Sequence, residues 1–159
     1  MATDAKVLDP AKRARLLTAL YIAQEQEGYL SPQALERVAE RLDVPEAEVF
    51  STASFYTLFH TQPVGQFLIQ VCTGLSCYLA GGAERLVDYL EGKLGIKVGE
   101  TTPDGLFTME TVQCLASCGS SPAMRVNDEL YENLTTDKVD MLVDQLRERA
   151  ERWAALNQS

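Results

Sequence analysis

The four cysteines of this 159-residue chain lie in two short segments. Cys72 and Cys77 belong to VCTGLSCYLAGG, and Cys114 and Cys118 belong to QCLASCGSSP. An apolar stretch precedes each segment, and glycines flank both. Thiolates are soft ligands that suit zinc or an iron–sulfur cluster. If the fold brings the two segments together, they can supply four sulfur ligands to one metal centre.

Zinc and a [2Fe–2S] cluster are the two metal centres that these spacings allow. Four-cysteine zinc sites favour short spacings such as C-x2-C, whereas this chain has C-x4-C and C-x3-C. A zinc site also usually stabilises a chain too small for its own core, and here 46% of the residues are hydrophobic. A [2Fe–2S] cluster takes two thiolates on each iron, so two pairs match two irons. The spacing favours the cluster and leaves zinc as an alternative.

Other uses of the thiols find less support in the sequence. A thioredoxin-type dithiol requires C-x-x-C, which is absent. A catalytic cysteine requires a histidine base, and the only histidine, His60, lies at a predicted helix end, where we interpret it as a surface or boundary residue. We therefore predict no catalytic residue.

Glycines near the cysteines predict that backbone N–H groups approach the sulfurs closely. Without a Cβ, a glycine lets the chain come near a ligand, and N–H donors offset the negative charge of a thiolate cluster. Ordinary turn glycines are the alternative interpretation. The residues concerned are Gly74, Gly81, Gly82 and Gly119.

Charge and hydropathy exclude several classes of function. The net charge is −9, which argues against general nucleic-acid binding because a phosphate backbone would be repelled. A helix-turn-helix at residues 10–55 would also lack a basic recognition face. No apolar run approaches the roughly 18–20 residues of a membrane helix, and the first residues lack the apolar core of a secretory signal. We therefore predict a cytoplasmic protein that binds no nucleic acid and does not insert into a membrane.

The first third of the chain predicts a small helical bundle. Pro10, Pro32 and Pro45 each favour the beginning of a short helix, which gives three helices. Asp9 and Ser31 are the expected N-caps of the first two. In the first helix, the residues expected on one face are Leu17, Leu20, Tyr21 and Gln24.

The spacing of the apolar residues changes after TQPVGQ, and this segment is the predicted domain boundary. Beyond it, the pattern predicts strand, helix, strand, strand, strand and helix, which suits a mixed sheet with helices against it. The strands are expected in QFLIQVC, in LFTMETVQC and in a hairpin around Asn127-Asp128. We predict a helical docking domain over residues 1–64 and a second domain over residues 65–159. Within the first, the aromatic residues Phe55, Tyr56 and Phe59 are expected to touch a partner or the second domain.

Several stretches of the chain resemble one known family. In order, these are ASFYTLF, PVGQFLIQVC, LGIKVGETTPDGLFT, QCLASC, SP and VNDELYENLT. The chain is similar to the thioredoxin-like [2Fe–2S] subunit of NADH dehydrogenases, the E-type subunit of respiratory complex I. The same family includes the small subunits of NAD-linked hydrogenases and formate dehydrogenases. One departure is Ala116, which stands where many relatives carry glycine.

The resemblance implies a fold and a cofactor. The expected fold is of the α+β or α/β class, with an N-terminal helical bundle followed by a thioredoxin-like [2Fe–2S] ferredoxin domain with a mixed sheet. Cys72, Cys77, Cys114 and Cys118 fall on the family's four cluster ligands. We expect the first two to hold one iron and the last two the other.

The resemblance also implies a function as one subunit of an oxidoreductase complex. The expected partners are a flavin- and NADH-binding subunit and further iron–sulfur subunits. FMN and NADH would bind only to the partner, and the isolated chain would not oxidise NADH. The expected location is the cytoplasm, or the cytoplasmic face of the inner membrane as a peripheral part of the complex. The alternatives are the equivalent subunit of a soluble NAD-linked hydrogenase or formate dehydrogenase and, more remotely, a zinc-stapled adaptor.

Overall fold

The computed structural model describes residues 9–156. Residues 1–8 and 157–159, at the outer ends of the two predicted domains, lie outside the described residues. The chain divides into two compact units, residues 1–63 and 64–159. That each unit acts as a separate domain stays a prediction.

The first unit contains three helices, as the proline starts predict. They are α1 (Pro10–Glu27), α2 (Pro32–Leu42) and α3 (Glu46–Phe55). The Asp9 carboxylate accepts a hydrogen bond from the Ala11 amide at 3.0 Å, and the Ser31 hydroxyl accepts one from the Ala34 amide at 3.1 Å. These bonds satisfy amides that a helix N-terminus otherwise leaves without an intrahelical partner.

The buried face of α1 differs from the predicted one. Leu16 and Leu20 are buried, whereas Leu17 and Tyr21 are exposed. Residues three or four apart lie on the same face of a helix. The sequence alone therefore allows an apolar face through Leu16 and Leu20 or one through Leu17 and Tyr21. The packing of α1 in this unit selects the stripe through Leu16, which joins the same core as residues from α2 and α3.

The second unit contains four strands and three α-helices. In chain order these are β1 (Phe67–Cys72), α4 (Leu75–Leu79), α5 (Ala83–Leu94), β2 (Phe107–Val112), β3 (Met124–Val126), β4 (Glu129–Tyr131) and α6 (Thr136–Leu156). A short 3₁₀ helix, Cys118–Ser120, precedes β3, and the Ser121–Pro122 peptide bond is cis. The expected strand–helix–strand–strand–strand–helix order is confirmed. It gains one helix, α4, that the sequence pattern does not predict.

The sheet is mixed, with strand order β2-β1-β3-β4. β1 pairs with β2 in parallel and with β3 in antiparallel orientation, and β3 pairs with β4 in a hairpin. Asn127, in the turn of that hairpin, has a left-handed φ of 51°. This conformation is one that asparagine tolerates better than most residues.

One face of the sheet carries the main hydrophobic core of the second unit. β1 contributes Phe67, Ile69 and Val71, which alternate along the strand because successive side chains point to opposite faces. Helices α5 and α6 contribute leucines and valines to the same cluster, so both helices cover this face. The buried residues of α6 are Val139, Leu142, Val143 and Leu146.

The other face of the sheet carries a polar row close to the cysteine segments. The Gln70 side-chain amide donates to the Glu110 carboxylate at 3.1 Å. The Arg125 guanidinium donates to the Gln70 side-chain Oε1 at 2.6 Å and 2.9 Å. These bonds link β2, β1 and β3, and they hold in register the strands that lead to the cysteines. Within residues 9–156, no helix is both long and apolar enough to cross a membrane.

Candidate functional site

The first pair of cysteines is buried at one end of the sheet. Cys72 is the last residue of β1 and is 4% exposed, and Cys77 lies on α4 and is 2% exposed. With Ala83, the two form a small cluster of buried residues. The sequence pattern predicts a loop at Cys77, whereas the structure has one helical turn there. A five-residue helix is too short to reveal itself by the spacing of its apolar residues.

The second pair is exposed. Cys114 follows β2, and Cys118 is the first residue of the 3₁₀ helix. Both residues are exposed, unlike those of the first pair. The site therefore has an inner pair and an outer pair of sulfurs.

The parallel pairing of β1 and β2 brings the two cysteine segments to the same edge of the sheet. Cys72 lies opposite Val112 in the register, two residues before Cys114. Beyond the last paired residues, the Thr73 amide and hydroxyl both donate to the Val112 carbonyl, at 2.9 Å and 3.1 Å. The two strands therefore bring the start of each cysteine segment to the same edge of the sheet.

Gly74 lies where the two segments come closest. A Cβ placed on Gly74 would lie 2.7 Å from the Gln113 carbonyl oxygen, 3.6 Å from the Cys72 Sγ and 3.7 Å from the Cys114 Cβ. The first distance is too short for a real carbon–oxygen contact, and the opposing atom belongs to backbone that cannot rotate away. Only glycine at residue 74 lets the two segments pack this closely.

The four glycines of the sequence hypothesis differ in their roles. Gly74 and Gly82 are in close contact with other residues, since a Cβ on Gly82 would overlap the Pro122 ring. By contrast, a Cβ on Gly81 or Gly119 would meet no other residue within 4 Å. Gly81 adopts a left-handed φ of 68°, which suits glycine for conformational reasons. Gly81 and Gly119 show no such contact with other residues, so their close approach to a cluster stays a prediction.

Hydrogen bonds connect the sulfurs to both segments. The Ala116 amide donates to the Cys114 Sγ at 3.3 Å, and the Cys77 thiol donates to the Ser121 hydroxyl oxygen at 3.5 Å. Ala116 has a left-handed φ of 59°. That conformation costs an L-residue other than glycine roughly 1–2 kcal/mol, which explains why glycine would suit residue 116.

The donor set fits a [2Fe–2S] cluster in its chemistry. It consists of four thiols in two pairs, an amide that already points at one sulfur, and a glycine at the narrowest point between the segments. Backbone N–H donors of this kind offset the charge of a thiolate-bound cluster. Among residues 9–156, no three His, Cys, Asp or Glu side chains, the four cysteines included, form a group that could hold a metal ion.

Two features next to the cysteines escape prediction from the sequence. One is the outer surface of α4, where Leu75, Tyr78 and Leu79 are exposed while Cys77 points inward. The other is Ser121, whose hydroxyl lies between Cys77 and Cys118. The sequence places Ser121 only next to a proline, and nothing in its spacing shows that it meets a residue 44 positions earlier.

Comparison with known proteins finds a matching family and several relatives in sequence. Residues 4–147 match the family described as thioredoxin-like [2Fe-2S] ferredoxin. The chain is 44% identical over 150 residues to an E-type NADH-quinone oxidoreductase subunit of Rhizobium meliloti, covering 94% of this chain and 88% of that one. It is 42% identical over 146 residues to NADH-quinone oxidoreductase subunit 2 of Thermus thermophilus, covering 91% of this chain and 80% of that one.

Solved structures give a likeness of fold. An NAD+-reducing [NiFe]-hydrogenase in the air-oxidized state superposes with a TM-score of 0.73 at 24% identity. An NAD+-reducing [NiFe]-hydrogenase in the H2-reduced state superposes with a TM-score of 0.70. The match covers 82% of this chain but only 23% of the air-oxidized hydrogenase chain. At this level of identity the likeness concerns the fold alone.

Proposed function

Because the chain belongs to the thioredoxin-like [2Fe-2S] ferredoxin family, we propose that it is an electron-transfer subunit of an NADH:quinone oxidoreductase. The observation that carries the proposal is the convergence of two cysteine segments around Gly74 at one edge of the sheet. The names of relatives at 44% and 42% identity support the choice of complex.

The four cysteines have distinct tasks in this proposal. Cys72 and Cys77 would hold one iron, and Cys114 and Cys118 would hold the other. When bound, a [2Fe–2S] cluster accepts and returns one electron at a time. Water is kept away from the inner pair, because both of its cysteines are buried. The outer pair is exposed, so this side of the site is the one that can approach a partner.

The partner must supply what this chain does not contain. Oxidation of NADH releases a hydride, which carries two electrons, and a flavin accepts both and passes them on singly. The chain has no G-x-G-x-x-G turn to hold a dinucleotide. FMN and NADH therefore belong to a partner subunit, and further iron–sulfur subunits carry the electron onward. In this proposal the chain is a peripheral subunit in the cytoplasm or on the cytoplasmic face of the inner membrane.

A soluble NAD-linked hydrogenase is the second candidate for the parent complex. The likeness to an NAD+-reducing hydrogenase concerns the fold alone and does not distinguish the two complexes. The sequence relatives favour the quinone oxidoreductase, because they cover most of both chains at higher identity. The task of the four cysteines is the same in either complex.

We expect the isolated, cluster-loaded chain to be bleached by dithionite and not by NADH. Dithionite donates single electrons directly, whereas NADH needs the flavin of the partner. Adding the flavin-bearing subunit should make the chain reducible by NADH. Absorbance in the visible bands of the protein, recorded anaerobically after each addition, checks this. Bleaching of the flavin-free single chain by NADH would contradict the proposal.

The end of α3 is the proposed docking surface of the first unit. Phe55 is 77% exposed, and its ring packs edge-on against Tyr56 with centroids 5.2 Å apart. Phe59, which the sequence suggests as a partner contact, is buried in the core of the first unit instead. Exposed aromatic side chains are common anchors of protein interfaces. The docking surface is therefore narrowed to Phe55 and Tyr56.

Replacing Phe55 with serine should weaken binding of the flavin-bearing subunit about tenfold, the loss expected for an anchor worth roughly 1.4 kcal/mol. Trp153→Ser is the control, because Trp153 is a similarly exposed aromatic residue on α6. Calorimetric titration of each loaded variant with the partner measures the affinity. Equal affinity of Phe55→Ser and the parent would remove Phe55 from the interface.

A further inference from the structure

The Ser121 hydroxyl contacts both cysteine segments. Its oxygen lies 3.5 Å from the Cys77 Sγ, which belongs to the inner pair. The same hydroxyl donates to the Cys118 carbonyl oxygen at 3.1 Å, in the segment of the outer pair. No other hydroxyl in residues 9–156 has a hydrogen bond to one of the four sulfurs. Ser121 is therefore the side chain to consider for an influence on the site.

Backbone hydrogen bonds fix the position of Ser121. The Asn133 amide donates to the Ser120 carbonyl at 2.8 Å, and the Leu134 amide donates to the Pro122 carbonyl at 3.0 Å. One residue further, the Cys72 amide donates to the Ala123 carbonyl at 3.1 Å. The chain is thus held on both sides of Ser121, and its hydroxyl is pre-positioned beside the Cys77 sulfur.

Metal binding must reverse the hydrogen bond between Cys77 and Ser121. The free thiol donates to the Ser121 oxygen. A thiolate that binds iron has no proton to donate, so Ser121 becomes the only possible donor in the pair. The Ser121 hydroxyl can then donate its proton either to the Cys118 carbonyl oxygen or to the Cys77 thiolate. A charged acceptor forms a hydrogen bond roughly twice as strong as a neutral one, which favours the sulfur.

We propose that Ser121 is a positioning residue whose hydroxyl donates to the Cys77 sulfur in the loaded protein and raises the midpoint potential of the site. This inference rests on the proposed function. One added electron increases the negative charge on the sulfur ligands, so a hydrogen bond to a ligand stabilises the reduced state more than the oxidised state. Ser121 keeps its proton throughout, and no covalent bond forms or breaks.

The test compares Ser121→Ala with Ser120→Ala. Ser120 is the neighbouring serine, and its hydroxyl forms no hydrogen bond in the part of the chain that the structure describes. Both loaded variants are titrated with dithionite and mediators, and the reduced fraction is followed by electron paramagnetic resonance. At a fixed potential, we expect Ser121→Ala to lower the ratio of reduced to oxidised protein by roughly two- to tenfold. A tenfold change corresponds to about 59 mV for one electron. Ser120→Ala should match the parent.

A second comparison separates the hydroxyl from the shape of the side chain. Threonine and valine have nearly the same shape, and only threonine carries a hydroxyl. Ser121→Thr should therefore have a higher potential than Ser121→Val. Equal potentials of the alanine and parent proteins, or of the threonine and valine variants, would overturn the inference. So would loss of the cluster from both variants without a hydroxyl, because the hydroxyl would then serve retention and not potential.

The outcome also distinguishes this inference from the proposed function. If the parent protein carries no [2Fe–2S] cluster, the proposed function fails. If the parent carries the cluster and its potential does not respond to Ser121, only this inference fails.

Discussion

Replacing Cys72 with serine is expected to abolish the electron paramagnetic resonance signal of the reduced protein, and replacing Cys114 with serine to abolish it or change its g values. A serine hydroxyl is a harder ligand than a thiolate and deprotonates far less readily. Cys72 is buried and Cys114 is exposed. The loss should be more complete at Cys72, where water cannot replace the missing ligand.

Iron content and the spectrum of each dithionite-reduced variant measure this effect. Ser120→Ala provides the control, since it changes a side chain in the second cysteine segment without removing a sulfur. An unchanged signal in either cysteine variant would remove that residue from the ligand set. Such a result would contradict the proposal that the cysteines at the edge of the sheet bind the cluster together.

Replacing Gly82 with alanine is expected to destabilise the protein by about 3 kcal/mol, at the upper end of the usual cost of overpacking. A Cβ on Gly82 would lie 1.9 Å from the Pro122 Cγ and 2.4 Å from the Pro122 Cβ. Neither atom can rotate away, because the proline ring is closed. The Pro122 segment must therefore move, and it includes Ser121 and the residues that follow Cys118.

Gly92→Ala is the matched control for this substitution. Gly92 lies within α5, and a Cβ there would meet no atom within 4 Å. An alanine in a helix interior is more favourable than glycine by roughly 0.5–1 kcal/mol. Thermal unfolding followed by circular dichroism should show a lower midpoint for Gly82→Ala and an unchanged or higher one for Gly92→Ala. Equal midpoints for Gly82→Ala and the parent would show that the Pro122 segment is not packed as described.

Much of the fold could be predicted from the sequence because its signals are local. Proline and a capping side chain mark the beginnings of α1 and α2, and Gly28 and Gly95 stand at the ends of α1 and α5 in left-handed conformations. The apolar run of β1 and the turn at Asn127 are also local features. The matching family and the likeness of fold agree with the predicted mixed sheet and thioredoxin-like class.

The features that could not be predicted depend on contacts between distant residues. The choice of Leu16 over Leu17 on α1 is made by packing against other helices. The helix at Cys77 has only five residues, which is too few for a period to show. The contact of Ser121 with Cys77 and that of Gly82 with Pro122 each join segments about forty residues apart along the chain. Spacing in the sequence carries no information about such contacts.

The candidate site could be predicted in part. The pattern of the cysteines indicates the pairs, and the parallel pairing of β1 and β2 explains how both pairs come to one edge of the sheet. The difference between a buried and an exposed pair could not be predicted, because it depends on how α4 and the 3₁₀ helix pack. That the four sulfurs together hold one [2Fe–2S] cluster stays a proposal.

The most direct test of the central proposal is the metal and sulfide content of the anaerobically purified chain, determined together with its absorption spectrum. The proposal predicts a coloured protein with about two irons and two acid-labile sulfides per chain. On reduction with dithionite it should give a rhombic paramagnetic signal from one electron. A colourless protein that contains one zinc ion per chain, and no acid-labile sulfide, would contradict it.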